Sequence, residues 1–192
     1  MIPAIFAGAQ TAGLVGLIAA AQAIRIRAVV TRDVAFALVA ERLGYPVVET
    51  IRAAPMADAA LLLSVHGREI IPAETLDGLT YGAVNVHPCL WKYPGADPIG
   101  RWLAAGERRA SVGAHVMTAE VDAGPVICEA FRVLPACETR EEVYRWLYPV
   151  YGFVVRRALD QILAAHYGVF NPFGITDEPP FVESLIAREA LA

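Results

Sequence analysis

The first ninety residues contain four short apolar runs separated by glycine, proline and polar residues, and this pattern constrains the fold more than any other feature. The runs cover residues 2–7, 26–31, 60–65 and 82–87. Runs of this length, bounded by turn residues, are typical of buried strands. A helical stretch follows each of the first two runs, one ending near Gln22 and the other covering residues 34–43. Strands that alternate with helices predict a mostly parallel sheet with helices on both faces.

Two later apolar runs predict an antiparallel addition to this sheet. A helix of about eight residues after Pro98 ends near Gly106, and the runs at residues 111–118 and 126–133 then enclose the short sequence AEVDAG. Apolar strands joined by a short turn are expected to form a hairpin. The predicted fold class is therefore α/β, a Rossmann-like, mostly parallel sheet with helices on both faces and a late antiparallel hairpin.

The remaining C-terminal sequence predicts one long helix and a tail. Over residues 138–165, apolar residues recur at spacings of mostly three to four, which indicates a helix with one buried face. Thr139 is the predicted N-cap, and Pro149 is expected to kink or split the helix. At 192 residues the chain suits one domain, so we expect a single domain over residues 1–165 and an extension over residues 166–192 that packs on its surface.

The charge and the cysteine content argue against several classes of function. The formal charge is -4 and the pI about 5.6, and no run of Lys or Arg supplies the attraction on which nucleic-acid binding depends. The apolar N-terminus lacks a basic segment and is interrupted by glycines and Gln10, so neither a signal peptide nor a membrane span is predicted. Three cysteines without paired spacing indicate neither disulfides nor a zinc site. We therefore expect a cytoplasmic protein that binds neither nucleic acid nor membrane.

The turn after the first run, GAQTAGLVG, contains glycines that would let backbone amides approach a phosphate at a helix N-terminus. Gly8 and Gly13 fit the outer positions of a Walker motif. Leu14 stands where that motif has its lysine, however, and the GxGxxG order is absent. A tight turn between strand and helix is the favoured interpretation, with a phosphate-binding loop as the alternative.

The most specific chemistry lies in the fourth run, where Asn85 and His87 are two residues apart. In a strand these side chains point to the same side, and in an open parallel sheet ligands bind beyond the carboxyl ends of the strands. Asp122 lies further on, in a turn with Gly124 and Pro125. A helix-capping Asn, a structural His and an Asp that serves only the turn are the alternatives. Together the three side chains can supply an oxyanion donor, a proton-transfer group and a charge that sets the state of the imidazole.

Three segments, NVHP, YPGADPI and AEVDAGPVI, resemble the folate-dependent formyltransferases, whose pattern is an Asn-x-His-Pro strand end followed by a loop similar to EEVDAGPII. The resemblance covers roughly residues 1–135 and is strongest over residues 84–127. It implies the formyltransferase fold, with the predicted domain as the catalytic domain, and transfer of a formyl group from 10-formyltetrahydrofolate to an amine. It also implies that Asn85, His87 and Asp122 are the catalytic residues.

The same resemblance assigns the other residues of the site. The segment SVHGREIIP resembles the family's folate-binding loop, in which backbone groups and apolar side chains hold the pterin. The predicted folate-binding residues are His66, Gly67, Arg68, Glu69, Ile70, Ile71 and Val121. His115 matches a second histidine of the family and is assigned to the acceptor side, with a strand residue satisfied by its neighbours as the alternative. The other predicted acceptor-binding residues are Gly8, Trp91, Lys92 and Tyr93, and the chemistry requires no metal.

The sequence departs from the family where the acceptor is expected to bind. The segment PCLWKYPG is shorter than the family's loop, and the first turn lacks the Gly/Ser/Asn-rich phosphate cradle expected of the glycinamide ribonucleotide enzymes. The methionyl-tRNA members carry an additional C-terminal RNA-binding domain, for which this chain has neither room nor charge. We therefore expect the acceptor to be the amine of a nucleotide-linked amino sugar. The predicted partners are this small molecule and folate, with a homodimer as a further expectation.

The expected mechanism is direct attack of the neutral amine on the formyl carbon. Asn85 and protonated His87 would stabilise the tetrahedral oxyanion, and the charge of Asp122 would help to keep His87 cationic. The alternatives are a glycinamide ribonucleotide formyltransferase, a formyltetrahydrofolate hydrolase and a ligand-binding relative without activity. Hydrolases of this family begin with a regulatory domain, whereas this chain starts directly on its first strand.

Overall fold

The computed structural model describes residues 1–166, which fold around one sheet. The strands are β1 (Pro3–Gly8), β2 (Arg25–Val30), β3 (Val47–Val48), β4 (Leu61–Val65), β5 (Ala83–Pro88), β6 (Arg109–Val116) and β7 (Val126–Val133). The α-helices are α1 (Gln10–Ala21), α2 (Val34–Arg42), α3 (Ala73–Asp77), α4 (Pro98–Ala104) and α5 (Arg140–His166). The sheet order is β3-β2-β1-β4-β5-β6-β7, in which β1 to β5 are parallel and the β6–β7 hairpin is antiparallel. The predicted fold class is confirmed.

The two faces of the sheet are covered differently. On one face, which we call the helix face, strand residues such as Phe6, Leu63 and Val86 belong to a large apolar cluster with residues of α1, α2, α4 and α5. On the opposite face a smaller cluster, which includes Ile5 and Leu62, is covered by α3 and by two short 3-10 turns. Helices therefore lie on both faces, as predicted, but the four longer ones share the helix face and leave much of the opposite face to loops.

The glycines of the first turn serve close packing. A Cβ atom at Gly16 of α1 would lie 2.7 Å from the Val65 side chain, and one at Gly13 would lie 3.2 Å from the backbone of Gly8. Such distances are shorter than side-chain contacts allow, so glycine lets α1 lie tightly against β1 and β4. This packing accounts for the glycines and supports the interpretation of a tight turn over that of a phosphate loop.

Two short elements were not predicted, and one predicted break does not occur. β3 has two residues and α3 has five, and elements of this length are too short to produce a periodic pattern in the sequence. α5 continues through Pro149, so the helix is not split there, and the alternative of a kink stays a prediction. Leu147 and Tyr151 on either side of the proline are fully buried. Their packing outweighs the one backbone hydrogen bond that the proline removes.

The start of α5 has the predicted cap. Oγ1 of Thr139 accepts a hydrogen bond from the backbone N–H of Glu142 at 3.3 Å, and the Glu142 carboxylate accepts one from the N–H of Thr139 at 3.2 Å. This reciprocal pair is a capping box, and the prediction that Thr139 caps the helix is confirmed.

The described part of the chain ends with α5. The predicted surface extension, residues 166–192, therefore lies outside the described residues except for residue 166, the last of the helix. Within residues 1–166, no helix is both long enough and apolar enough to span a bilayer.

Candidate active site

A row of polar side chains crosses the opposite face of the sheet. On β5, Val86 packs on the helix face, and so its neighbours Asn85 and His87 point to the opposite face. Asn85 pairs in the sheet register with His115 of β6 and with Ser64 of β4. We expected Asn85 beyond the carboxyl end of its strand, but it is the third of six residues in β5. The site forms on this face because no long helix covers it.

The loop between β6 and β7 brings a carboxylate to this row. It leaves β6 at Val116, and its far end returns to the same point, where the N–H of Val116 donates to the carbonyl of Pro125 at 2.9 Å. A Cβ atom at Gly124 would lie 1.8 Å from the carbonyl oxygen of Val116, so only glycine allows this closure. The closed loop places Asp122 against the polar row.

Asp122 is the centre of the contacts in the site. Its Oδ1 accepts a hydrogen bond from Nδ2 of Asn85 at 3.1 Å, and its Oδ2 accepts one from the N–H of Gly95 at 2.8 Å. Nε2 of His87 lies 3.3 Å from Oδ2, and Nε2 of His115 lies 3.3 Å from Oδ1. The structure thus brings together the three predicted catalytic side chains and adds His115 and the Gly95 peptide to them. Their catalytic roles remain predictions.

The carbonyl group of Gly95 determines which ring nitrogen of His87 carries the hydrogen. Nε2 of His87 lies 3.2 Å from the carbonyl oxygen of Gly95, and because a carbonyl only accepts, Nε2 carries the hydrogen. Nδ1 is buried and has no hydrogen-bond partner among the described residues. Burial lowers the pKa of His87 below its ordinary value and outweighs the charge of Asp122, which raises it. His87 is therefore neutral near pH 7: the charge of Asp122 raises the pKa as expected, but it does not offset burial and so does not keep the imidazole cationic.

The remaining contacts keep Asp122 ionised and engage Asn85. The pKa of Asp122 lies well below its ordinary value, chiefly through the contact with His115 and further through His87 and the N–H of Gly95, whereas burial opposes the shift. Nδ2 of Asn85 also lies 3.3 Å from Nε2 of His115. Both N–H groups of Asn85 are therefore directed at Asp122 and His115. To serve as the predicted oxyanion donor, Asn85 must exchange the longer of these contacts when substrate binds.

A cavity of about 480 Å³, which we call the central cavity, lies over the polar row. Its walls are residues 67–71, the side chains of the row, residues 95–97 and residues 117–122. The volume is in the range of small-molecule sites. Gly67 to Ile71 and Val121 line it, as their predicted role in folate binding requires. The residues that the structure describes contain no group of three or more His, Cys, Asp or Glu side chains arranged to hold a metal ion.

A second cavity of about 130 Å³, the narrow cavity, shares Gly67, Arg68, Asn85 and His87 with the central cavity. It is also lined by His66 and by Tyr144 of α5, whose rings meet edge to face at 5.3 Å. Burial, followed by the charges of Arg68 and His87, lowers the pKa of His66 to about 4, so this imidazole is neutral. His66 was predicted to bind folate together with residues 67–71. It lies in the narrow cavity instead, because the chain turns sharply at His66, where φ is 56°.

Trp91, Lys92 and Tyr93 line neither cavity. The side chains of Lys92 and Tyr93 contact Glu107, and the ring of Trp91 packs against Phe131 at 5.9 Å. Their own partners thus hold these side chains away from the polar row. The structure does not bring them to the site, and their predicted role in acceptor binding has no support from the geometry.

Gly8 also lies outside the two cavities, in the wall of an adjoining one of about 460 Å³ that shares residues 67–69 with the central cavity. The nearby N-terminus of α1 already has an anionic partner. Oδ2 of Asp33 accepts a hydrogen bond from the N–H of Gln10, the first residue of α1, at 3.0 Å, and Oδ1 accepts one from the N–H of Phe36 at 3.0 Å. The carboxylate of Asp33 therefore lies where a phosphate loop would hold its ligand.

Sequence reasoning missed several residues that line the cavities, and two of them, Gly95 and Tyr144, contact the predicted site histidines. Gly95 acts through its backbone, and its sequence context YPGADP indicates a turn without revealing what the peptide contacts. Its φ of 83° explains why the position is a glycine. Tyr144 lies on α5, where the helical spacing of its neighbours marks core positions rather than a ligand site.

Comparisons with known proteins agree with this geometry. The profile of the Formyl transferase family matches residues 22–149. A methionyl-tRNA formyltransferase of Acidithiobacillus ferrooxidans is 36% identical over 107 residues, which cover 54% of this chain and 34% of that protein. The methionyl-tRNA formyltransferase of Halorhodospira halophila is 31% identical over 140 residues, which cover 72% of this chain and 42% of that protein. The chain thus spans less than half the length of these curated relatives.

Solved structures share the fold at lower sequence identity. Glycinamide ribonucleotide transformylase 1 from Symbiobacterium toebii superposes with a TM-score of 0.73 at 20% identity, over 86% of this chain and 89% of that one. A formyltetrahydrofolate deformylase from Pseudomonas syringae pv. tomato superposes with a TM-score of 0.72 at 17% identity, over 85% of this chain and 62% of that one. At these identities the likeness establishes the fold and not the reaction.

Proposed function

The chain belongs to the formyl transferase family, and on that premise we propose that it transfers a formyl group from 10-formyltetrahydrofolate to a primary amine. The observation that carries the proposal is the convergence of Asn85, His87 and Asp122 on the wall of the central cavity. An amide and a neutral imidazole, each within 3.3 Å of the same ionised carboxylate, are the groups that acyl transfer to an amine needs.

The formyl donor is proposed to bind in the central cavity, against residues 67–71. Ile71 is buried, whereas Ile70 is 79% exposed and Val121 is 61% exposed. Exposed apolar side chains at the mouth of a cavity suit the flat face of a pterin, and backbone groups of the segment can bond to its edge. A folate whose pterin is held there would present the formyl group on its N10 atom to the polar row.

The steps of the reaction follow from the protonation states. The amine nitrogen forms a bond to the formyl carbon, and the carbonyl electron pair moves to the oxygen. Neutral His87 takes the proton that the nitrogen loses, at Nδ1, the ring atom without a partner in the described structure. The bond between carbon and the folate nitrogen then breaks as the oxyanion reforms the carbonyl, and His87 returns the proton to that nitrogen. Ionised Asp122 stabilises the imidazolium between the two steps.

The acceptor amine is proposed to enter through the narrow cavity. Its volume of about 130 Å³ suits an amine and the atoms next to it. Tyr144 also lines a larger cavity of about 640 Å³ between α1, α2 and α5, which we call the helix cavity. There the partly buried rings of Tyr144 and Tyr148 stack with centroids 6.3 Å apart, and aromatic rings in a cavity wall suit a sugar or a base. These features support a nucleotide-linked amino sugar as the acceptor.

The position of Asp33 argues against glycinamide ribonucleotide. Hydrogen bonds from the backbone N–H groups of Phe36 and Gln10 lower the pKa of Asp33, so the carboxylate is ionised near pH 7. A phosphate brought to the N-terminus of α1 would meet this negative charge. Asp33 also lines the helix cavity, so a nucleotide-linked amino sugar fits there only with its phosphates held away from this carboxylate. With that arrangement we rank it above the ribonucleotide, whose phosphate would be brought to the N-terminus of α1.

The relatives favour a second candidate acceptor, methionyl-tRNA. Two of the proteins named above carry it in their names, at 36% and 31% identity to this chain, and none of those named is an amino-sugar enzyme. The formal charge of -4 opposes binding of a nucleic acid and ranks this candidate second.

Incubation with 10-formyltetrahydrofolate and a panel of acceptors tests the proposal. The panel contains nucleotide-linked amino sugars, glycinamide ribonucleotide, methionyl-tRNA and a sample with no amine. Mass spectrometry of the acceptor is expected to show an N-formyl product with an amino sugar. Formate release without any amine would identify a hydrolase, and faster turnover with the ribonucleotide or the tRNA would replace the proposed acceptor. An undiminished donor in every sample would contradict formyl transfer.

A further inference from the structure

The Gly95 peptide contacts both members of the pair that the proposed reaction uses for proton transfer. Its N–H donates to Asp122 at 2.8 Å, and its carbonyl accepts from His87 at 3.2 Å. The N–H belongs to the Pro94–Gly95 peptide and the carbonyl to the next one, so the backbone conformation of this single residue sets the orientation of two side chains. What holds this residue in place also controls the site.

Arg101 of α4 holds the two residues that precede Gly95. Its Nη2 donates to the carbonyl oxygen of Tyr93 at 2.8 Å and to that of Pro94 at 2.6 Å. The guanidinium also lies 5.7 Å from the centroid of the Tyr93 ring. Charged donors make stronger hydrogen bonds than neutral ones, and the planar guanidinium restricts their direction. Arg101 thereby fixes the course of the chain as it enters Gly95.

Contacts outside this stretch anchor the rest of the loop. At its start, the N–H of Trp91 donates to Oε1 of buried Glu129 at 3.1 Å. At its end, the carboxylate of Asp97 accepts two hydrogen bonds from the guanidinium of Arg140, at 3.0 Å and 2.6 Å. Neither anchor touches residues 93–95, so the loop ends are fixed independently of the middle.

The middle of the loop depends on few side chains. In the described part of the chain, the side chains that bond to the backbone of residues 93–95 are those of Arg101, Asp122 and His87. Two of these are the site groups themselves. Arg101 is then the remaining side chain that holds Gly95 from outside the site.

We propose that Arg101 is a positioning residue for formyl transfer, acting through the Gly95 peptide on His87 and Asp122. The claim that Arg101 affects formyl transfer rests on the proposed function, whereas the contacts of Arg101 and Gly95 do not depend on it. The hydrogen on Nε2 of His87 has two acceptors, the Gly95 carbonyl and Oδ2 of Asp122, and the Gly95 N–H positions the second of them. Without the guanidinium the backbone at Gly95 shifts and displaces both acceptors, so His87 is free to take the tautomer that carries its hydrogen on Nδ1. That tautomer cannot accept the proton of the amine. Arg101 does not line the central or the narrow cavity, so its effect on the reaction is indirect.

Kinetics of Arg101→Met and Arg101→Lys, with Arg108→Met as the matched control, test the proposal. Arg108 also donates to a backbone carbonyl, that of Leu134 at 2.8 Å, and lines neither cavity. We expect kcat of Arg101→Met to fall about tenfold, since small displacements of reacting groups are costly, while both KM values stay within about twofold. Arg101→Lys should be intermediate, and Arg108→Met should keep wild-type kcat. A raised KM with unchanged kcat would overturn positioning in favour of substrate binding.

Nitrogen NMR of the His87 imidazole gives a readout that does not depend on activity. The wild-type spectrum should show the hydrogen on Nε2, and Arg101→Met should show a mixture of tautomers. An unchanged tautomer in Arg101→Met, or loss of kcat that only follows a lower melting temperature, would overturn the proposal. If the wild-type protein transferred no formyl group, the proposed function would fail, and the tautomer comparison would still decide the role of Arg101.

Discussion

Alternate residues of β5 point to the two faces of the sheet, and the side chains on the two faces make different kinds of contact. Val84 and Val86 are each 1% exposed and pack against the helices. Asn85 and His87 lie on the other side of the same strand and contact the site groups. The strand is covered on both sides, but one side fills space and the other sets the direction of hydrogen bonds.

This difference determines what a substitution on each face should do. Burial of apolar groups on the helix face stabilises the fold in proportion to area and depends little on direction. The contacts on the opposite face, which carries the polar row and which we call the site face, depend on the position of single atoms and add little to the buried apolar area. A change on the helix face should therefore lower stability and spare the activity of each folded molecule. A change on the site face should do the reverse.

The largest expected effect is on the site face, in Asp122→Asn. The amide keeps the shape and one acceptor oxygen but loses the charge that stabilises the His87 imidazolium. Turnover should fall by roughly 10²-fold to 10⁴-fold, which is about 3 to 5 kcal/mol of transition-state stabilisation. The variant should still fold and bind folate. Turnover number and melting temperature are to be measured on the same preparation, and a variant that keeps more than about a tenth of wild-type turnover would exclude this role for Asp122.

The next effect is on the helix face, in Leu63→Ala. Leu63 of β4 has no exposed surface, and its truncation should lower the free energy of unfolding by about 2 to 5 kcal/mol. Its neighbour Ser64 faces the central cavity, so the substitution lies one residue away from the site. Urea titration should show the lower stability, and turnover per folded molecule should stay within about twofold of wild type. A collapse of turnover at unchanged stability would remove the distinction between the two faces.

The helix face was the more predictable one. Phe6, Leu63 and Val86 fall in apolar runs whose length indicates buried strands, and their alternation assigns them a side without any tertiary information. β3 and α3 were not predicted, because elements of two and five residues are too short to show a periodic pattern in the sequence. Pro149 misled the prediction because local propensity favours a break, whereas packing of α5 on the sheet favours continuity.

The site was predictable only in part. The spacing of Asn85 and His87 and the turn around Asp122 indicated which side chains would meet. The charge of His87 was not predictable, because it depends on burial that only the folded loops create. The tautomer was not predictable either, because it is set by a backbone carbonyl, at Gly95, which every residue type possesses.

The third prediction concerns the pH dependence of stability, which should come from the buried groups around the two cavities and not from the apolar core of the helix face. Burial lowers the pKa of His66 from 6.5 to about 4, so below pH 6.5 the unfolded chain takes up a proton that the folded protein excludes. Stability should therefore fall as the pH drops from about 6.5 to 4, by an amount on the order of 3 kcal/mol from this residue. The lowered pKa values of His87 and Asp122 add loss of the same sign. His66→Gln should reduce the slope of unfolding free energy against pH, whereas Leu63→Ala should keep it. An unchanged slope in His66→Gln would contradict the burial of this imidazole.

The smallest effect is expected in Lys92→Met, which marks where the site face ends. Lys92 pairs with Glu107 on the surface and lies within 5.7 Å of the ring centroids of Trp91 and Tyr93. Exposed ion pairs contribute little to stability, and Lys92 lines neither cavity, so kcat and both KM values should stay within about twofold. Glu107→Gln is the matched control, because it breaks the same pair and keeps the lysine. A rise of tenfold or more in the acceptor KM of Lys92→Met, absent from Glu107→Gln and without a change in the folate KM, would restore the acceptor role predicted for this lysine. The site face would then include the start of the loop that contains Gly95, and the acceptor would have to reach it from the surface rather than through the narrow cavity.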